Sequence, residues 1–308
     1  MFERFNNWTI EDFTKLHDKA YPHSSKATKT SFIQTLKRIE AIYESPLNEL
    51  NNEHLKDPNK LYIRLKESKY TDNTLTTTFT SVLKLLKMLD SPLSHYNDYV
   101  KVLGKHTKEL IEQKRNFVAS QDLPTWTELQ NKYLDYVPKD DFMEQRNYLL
   151  LGFFMLLPPV RISNYTRFKL ILDEDVPNDS NNYLMKNKKG IFVIFNKYRT
   201  SHIQGQRIME IKDEFLKQYI DAYIQQYNLQ DGNYFLPKNF YLVHKALNQN
   251  ELNEILYTET FKIFGSSYTT QDLRTMFLRE IFNEDPSIRE KIEIADIMGY
   301  KDYNNIFI

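Results

Sequence analysis

Three short segments of the chain carry cationic or amide side chains suited to holding an anion. The first is "LLPPVRISNY", in which Arg161 follows a long apolar run and two prolines. A guanidinium at such a junction is at least half-buried and needs an anionic partner. Its helical neighbours Asn164 and Tyr165 are not carboxylates. The alternative is an arginine that caps nearby carbonyls or pairs with a distant acid.

The second segment, "YTTQDLRTMFLREIF", predicts a helix that begins with a capping box between Thr269 and Asp272. Gln271 and Arg274 are three residues apart, so they project from nearly the same side of the first turn. Backbone donors and the helix dipole favour an anion there. No carboxylate lies four residues from Arg274, which leaves an arginine in solvent as the alternative.

The third segment, "GIFVIFNKYRTSHIQGQRIMEI", is a β-rich run, a polar loop with Gly205 and a second apolar run, which together predict a hairpin. Lys197 and Arg199 lie at its turn. Exposed cations at a hairpin tip usually serve only solubility. However, two arginines and a lysine from separate elements are what a transferring phosphoryl group requires when no metal is present.

Other catalytic centres are disfavoured by the composition. The chain has no cysteine, which excludes disulfides, thiolate nucleophiles and sulfur-dependent zinc sites. Its seven histidines are scattered, and no phosphate-binding or dinucleotide glycine loop occurs. The acidic residues Asp140 and Asp141, and the run Asp173, Glu174 and Asp175, lie in polar loops and are expected to be solvated. We therefore expect neither a metal nor a cofactor.

The 308 residues allow two domains, and the first is predicted to be helical. "SKATKTSFIQTLKRIEAIY" and "TDNTLTTTFTSVLKLLKML" place apolar residues at helical spacing, the latter from the capping candidate Asp72. A further helix is expected over Tyr96 to Lys114, and Val118 to Leu123 reads as a linker. The predicted domains are therefore residues 1–118 and 119–308.

The second domain is predicted to open with helices over Thr125 to Tyr136 and Asp141 to Leu157, and helices resume at Glu214 after the hairpin. The apolar run from Tyr148 has ten residues, about half of a bilayer span, so it indicates a buried core helix. The predicted fold class is mainly α with a small β-hairpin or sheet in the second domain. Without a signal sequence or a membrane span, we expect an intracellular, reducing compartment.

Taken in order, "PPVRIS", the Lys197 hairpin, "QDLR" and "IMGYKDYNNIFI" resemble the boxes of the tyrosine recombinase (phage-integrase-like) family, from about Leu123 to Ile308. The segment "LLPPVRISNY" is similar in sequence to the corresponding segment of the integrases of large DNA viruses, virophages and related mobile elements. The resemblance implies a helical core-binding domain and a catalytic domain that clamp double-stranded DNA and assemble as tetramers on paired sites. No metal and no small-molecule substrate are implied, and a viral member would act in the nucleus or cytoplasm of its host or travel in the virion.

In that family, a tyrosine attacks a backbone phosphate and forms a 3′-phosphotyrosine. By resemblance, Arg161 and Arg274 hold the nonbridging oxygens, and Lys197 protonates the leaving 5′-oxygen. Arg199 is the alternative candidate for protonating the leaving oxygen, although a guanidinium donates a proton poorly.

Two positions depart from the family pattern. Gln271 replaces the usual histidine and cannot shuttle a proton near neutral pH. Tyr300 replaces the usual histidine or tryptophan and can still donate a hydrogen bond. The family register places the nucleophile at position 309, one residue beyond Ile308, and Tyr303 would lie too early to replace it.

Two other functions share these features. One is a DNA-binding or architectural protein that has kept the clamp and lost catalysis. The other is a type IB topoisomerase, which shares the chemistry but relaxes supercoils as a monomer.

Overall fold

The computed structural model describes residues 8–45, 55, 57–91, 93–120, 124–172 and 179–300. Backbone contacts divide the chain into two compact units, Met1–Gln121 and Asp122–Ile308. Each unit has its own apolar core. The functions assigned above to the two domains stay predictions.

In the described residues of the first unit, every regular element is a helix. Its helices are α1 (Ile10–Ala20), α2 (Lys26–Tyr43), α3 (Pro58–Glu67), α4 (Asp72–Met88) and α5 (Leu93–Ser120). The apolar stripes of α2 and α4 meet in the core, where Phe32, Leu36, Leu75 and Phe79 are buried. Burial of such stripes is what stabilises helices of this length in water.

Two predicted boundaries in this unit are wrong. The N-cap of α4 is Thr71, whose hydroxyl accepts from the Thr74 N–H, while the Asp72 carboxylate pairs with Lys66 instead. Helix α5 runs from Leu93 to Ser120 rather than from Tyr96 to Lys114. No proline or glycine interrupts it after Lys114, so the first residues of the expected linker are helical. Residues 121–123 of that linker lie outside the described residues.

The second unit contains helices and a four-stranded sheet. Its elements are α6 (Trp126–Asp135), α7 (Phe142–Met155), β1 (Phe168–Ile171), β2 (Asn182–Asn187), β3 (Gly190–Phe195), the short helix α8 (Ser201–Gln204), β4 (Arg207–Glu210), α9 (Glu214–Gln226), α10 (Gln249–Phe264), α11 (Thr270–Asn283) and α12 (Ile288–Met298). Helix α7 is buried on every side from Tyr148 to Met155, which confirms the predicted core helix.

The strands lie in the order β1-β2-β3-β4. The predicted hairpin is confirmed in the antiparallel pair β3 and β4. Strands β1 and β2, which pair in parallel, were not predicted. The fold class, mainly α with a small sheet in the second unit, is confirmed. Within the described ranges, every helix is too short or too polar to span a membrane.

Two local signals fix the start of α11, which carries the second arginine segment, and the end of α12, the helix that follows it. Thr269 and Asp272 form the predicted capping box at the start of α11. Gly299 ends α12 with φ 78°, a left-handed conformation that glycine adopts without a steric penalty. The start of α11 and the end of α12 are therefore set by residues within each segment.

Candidate anion-binding site

An open cavity of about 640 Å³, lined mostly by residues with polar side chains, lies where three segments of the second unit meet. These segments are the turn after α7, the first half of α10 and the N-terminus of α11. The cavity is lined by Arg161, Ile162, Ser163, Gln249, Asn253, Glu254, Tyr257, Thr269, Thr270, Gln271 and Arg274. The cavity thus combines Arg161, Gln271 and Arg274, three of the five predicted site residues.

Arg274 is buried, with 1% of its surface exposed. Its Nη1 donates to the carbonyls of Pro159 and Met298, both at 3.1 Å. Its Nε and Nη2 are buried and have no hydrogen-bond partner among the described residues. The alternative of a solvated arginine is therefore wrong, because α11 packs this side chain against the turn at Pro159 and the end of α12. Buried donors are normally satisfied, so these two unpaired nitrogens need an explanation.

Arg161 is half-buried and donates from Nη1 to the Gly299 carbonyl at 3.3 Å. Burial lowers the pKa of Arg161, and the positive charges of Arg274 and Arg199 lower it further. Cations that lie close enough to shift one another's pKa repel, and a bound anion would relieve that repulsion. Glu254, which is exposed, is the carboxylate among the lining residues.

Tyr300 packs against both guanidinium groups. The centre of its ring lies 4.8 Å from Cζ of Arg274 and 6.0 Å from Cζ of Arg161. Its backbone N–H donates to Ala295 at 2.9 Å, which places the ring directly after the end of α12. An aromatic face attracts a guanidinium without neutralising it, so the two positive charges stay available.

The N-terminus of α11 forms another wall of the cavity. Thr269, Thr270 and Gln271 line it, and Gln271 is exposed. The Thr270 hydroxyl is buried and has no hydrogen-bond partner within the described ranges. The first turn of a helix presents unpaired N–H groups and a positive dipole end, both of which favour an anion.

Lys197 and Arg199 lie on the 196–206 loop, which joins β3 to β4. Both side chains are exposed, and neither lines the cavity. The charge of Arg199 lowers the pKa of Arg161, which places Arg199 within electrostatic reach of the cavity. The structure therefore brings Arg161, Arg274 and Tyr300 into contact, with Gln271 in the same cavity wall, and leaves Lys197 outside it.

One buried amide joins the start of this loop to the turn that carries Arg161. Asn182 donates from Nδ2 to the carbonyls of Asn164 at 2.7 Å and Lys197 at 2.9 Å. It also accepts from the Lys197 N–H at 2.8 Å. Sequence reasoning missed Asn182, because its two partners are 18 and 15 residues away and no local pattern marks it.

Asp140 and Asp141, which the structure describes, do not line the cavity. Asp141 is the N-cap of α7, and Asp140 accepts a hydrogen bond from Gln226. The acidic run Asp173 to Asp175 and Tyr303 lie outside the described residues. In the part of the chain that the structure describes, no group of three or more His, Asp or Glu side chains could hold a metal ion.

Comparisons with known proteins add little. No family model matches the chain, and no curated protein matches it. Among solved structures, a XerA recombinase matches with a TM-score of 0.39 and 13% identity, over 96% of this chain and 91% of that chain. A TM-score this low carries no argument, so the function must be inferred from the residues of the chain itself.

Proposed function

We propose that the cavity binds a DNA phosphodiester and that the protein breaks and rejoins DNA strands in the manner of a tyrosine recombinase. The observation that carries this proposal is the buried guanidinium of Arg274, whose Nε and Nη2 have no hydrogen-bond partner in the described part of the chain, beside the second cation Arg161. The order of the sequence boxes that resemble this family supports the same assignment.

The donor set favours a phosphate over other anions. Two guanidinium groups from separate segments and a helix N-terminus offer donors from several directions, which suits the oxygens of a phosphate. The cavity is also open, whereas sites for small molecules are mostly enclosed. A phosphate that forms part of a long polymer fits such an open site.

The proposed reaction needs little from the protein beyond charge and position. A tyrosine hydroxyl loses its proton to water, its oxygen forms a bond to phosphorus, the P–O5′ bond breaks, and the products are a 3′-phosphotyrosine and a 5′-hydroxyl. Arg161 and Arg274 stabilise the charge that grows on the nonbridging oxygens. Each such donor typically contributes about 10²- to 10³-fold in rate.

The two loop cations are proposed to divide the remaining work. Lys197 supplies the proton that the leaving 5′-oxygen takes, because an ammonium can release a proton and a guanidinium retains it. Arg199 adds a third positive charge, which its effect on the pKa of Arg161 supports. Gln271 donates a hydrogen bond to a phosphate oxygen and carries no proton.

Binding of duplex DNA by the 308-residue protein is the first test. We expect affinity that falls steeply between about 50 and 200 mM salt, because cationic contacts release counterions from the phosphates. Absence of duplex affinity, or affinity that salt does not change, would contradict the proposal. Assembly into tetramers belongs to the same proposal and is tested by the mass of the complex on paired DNA sites.

Strand cleavage is the second test. A chain extended to carry a tyrosine at position 309 should form a covalent adduct with a nicked DNA substrate. Binding without any adduct would favour the DNA-binding protein that has lost catalysis. Relaxation of supercoiled DNA by the extended monomer, without strand exchange, would favour the topoisomerase.

A further inference from the structure

The end of α12 is held by side chains from three other elements. Four successive carbonyls each accept a hydrogen bond, Ile297 from Arg207 at 3.4 Å, Met298 from Arg274 at 3.1 Å, Gly299 from Arg161 at 3.3 Å and Tyr300 from Gln204 at 3.2 Å. Two of these donors, Arg161 and Arg274, line the cavity. The other two lie on the β3–β4 hairpin, Gln204 in the 196–206 loop and Arg207 as the first residue of β4.

Arg207 differs from the two cavity arginines because its charge is paired. Its Nη2 lies 3.0 Å from Asp296 Oδ1 and donates to Gln204 Oε1 at 2.7 Å. Its guanidinium stacks over the Tyr198 ring at 4.4 Å, and its side chain is 10% exposed. A buried guanidinium that already has a carboxylate partner is poorly suited to take a second anion.

Gln204 makes a second link between the same two parts of the molecule. Its Nε2 donates to the Tyr300 carbonyl and, at 3.4 Å, to Asp296. Its Oε1 accepts from Arg207 and from the Thr200 hydroxyl. Arg207 and Gln204 thus form one hydrogen-bonded cluster with Asp296 that spans the loop and the end of α12.

We propose that Arg207 is a positioning residue that holds the 196–206 loop and the Gly299–Tyr300 turn at one fixed spacing. The loop carries Lys197 and Arg199, and the turn contacts Arg161 and Arg274. If the proposed function holds, this link keeps Lys197, the proton donor, at a fixed distance from Arg161 and Arg274, which bind the phosphate. Arg207 does so through Asp296 and Gln204 and does not itself contact the phosphate.

Hydrogen exchange on the free 308-residue protein tests the link directly. Arg207→Leu should raise amide exchange about tenfold or more at Gly299 and Tyr300, and also at Gln204 and Gly205. The amides of the four-stranded sheet should keep their protection. Arg289→Leu is the matched control, because Arg289 is an exposed arginine on α12 that pairs with Glu293 of the same helix. It should leave both segments unchanged.

A change made on the loop side alone separates a link from local support. Gln204→Glu keeps an acceptor for Arg207 but loses the donor to the Tyr300 carbonyl. We expect faster exchange at Tyr300, across the cluster from the substitution. Arg207→Lys keeps the charge but not the two-pronged geometry, so it should restore only part of the protection. Exchange that rises only beside each substituted residue would overturn the proposal.

The consequence for catalysis is measured separately. In the chain with a tyrosine at position 309, Arg207→Leu should lower the rate of adduct formation about tenfold and leave DNA affinity within about twofold, since only the alignment changes. An unchanged adduct rate would overturn the positioning role. A parent protein that forms no adduct would contradict the proposed function instead, and hydrogen exchange would still decide whether the link exists.

Discussion

Two arginines in the second unit are equally buried but are satisfied very differently. Arg146, on α7, donates from Nη1 to the carbonyls of Pro237 and Lys238 at 2.8 and 2.7 Å. Its Nε and Nη2 both donate to Asn147 Oδ1. Arg274 uses Nη1 alone, and its other two nitrogens have no partner among the described residues. Burial therefore does not distinguish the two side chains, whereas their hydrogen bonds do.

Their electrostatic surroundings differ in the same sense. Burial lowers the pKa of Arg146, and the acidic residues Glu251, Glu259 and Asp141 raise it. At the cavity, the neighbours that lower the pKa of Arg161 are themselves arginines. A buried cation with a full set of partners stabilises its surroundings, and one that lacks them is prepared for a ligand. The difference identifies the cavity, and not α7, as the candidate site.

The largest expected effect is on strand cleavage. In a chain with a tyrosine at position 309, Arg274→Ala should reduce covalent adduct formation by about 10²- to 10³-fold, because it removes a donor to the transition-state oxygens. Arg279→Ala is the matched control, since Arg279 is an exposed arginine on the same helix that does not line the cavity. Equal adduct yield from the two variants would remove Arg274 from the site.

Stability should show the reverse order. Arg146→Met leaves the acceptors on Pro237, Lys238 and Asn147 unpaired, so we expect a loss of about 3 kcal/mol in the free energy of unfolding. Arg274→Met also leaves two carbonyls unpaired. However, it removes a buried charge whose Nε and Nη2 have no partner among the described residues, so we expect a loss of about 1 kcal/mol in the free energy of unfolding. Urea denaturation measures both values. A larger loss for Arg274→Met would indicate that Arg274 is chiefly structural.

Inorganic phosphate should stabilise the protein through the cavity. At about ten times its Kd, a single bound anion adds about 1.4 kcal/mol to the free energy of unfolding. The increase in Tm should disappear in Arg274→Met and persist in Arg279→Met. Chloride at matched ionic strength controls for general salt effects. Equal stabilisation of both variants would show that phosphate does not bind at Arg274.

The smallest effect concerns the paired charges of α7. Hydrogen bonds from Lys262 and from the Lys139 N–H lower the pKa of Glu144 to about 2, from 4.5. Because the folded pKa lies below the unfolded one, the stabilisation is complete above pH 4.5 and is lost as the pH falls towards 2. Glu144→Gln should therefore flatten the acid limb of the stability curve, measured by urea denaturation at each pH. An acid limb as steep as that of the parent protein would contradict this assignment.

Local signals in the sequence predicted one wall of the cavity and the β3–β4 hairpin. The capping box of α11 depends on residues three positions apart, and the hairpin follows from two apolar runs around a polar loop. Strands β1 and β2 were missed because β1 has only four residues and the two strands pair in parallel. Parallel strands are not joined by a short hairpin turn, so no turn motif marks the pair in the sequence.

The hydrogen-bond partners of the arginines could not be predicted in this way. Arg146 bonds to carbonyls 91 and 92 residues away, and Arg274 bonds to one 115 residues away. Arg207 meets Asp296 across 89 residues. Whether a guanidinium is paired depends on which distant backbone segment folds against it, and the spacing of residues in the sequence does not indicate that segment.

The amide of Asn182 has a consequence for how a ligand would be received. It makes three hydrogen bonds to the backbones of Asn164 and Lys197 in a buried position. Displacing the start of the loop would break its two hydrogen bonds with Lys197, so Lys197 should adapt by changing rotamer rather than by movement of its backbone. The site is then largely preorganised, and little ordering entropy should be lost when an anion arrives.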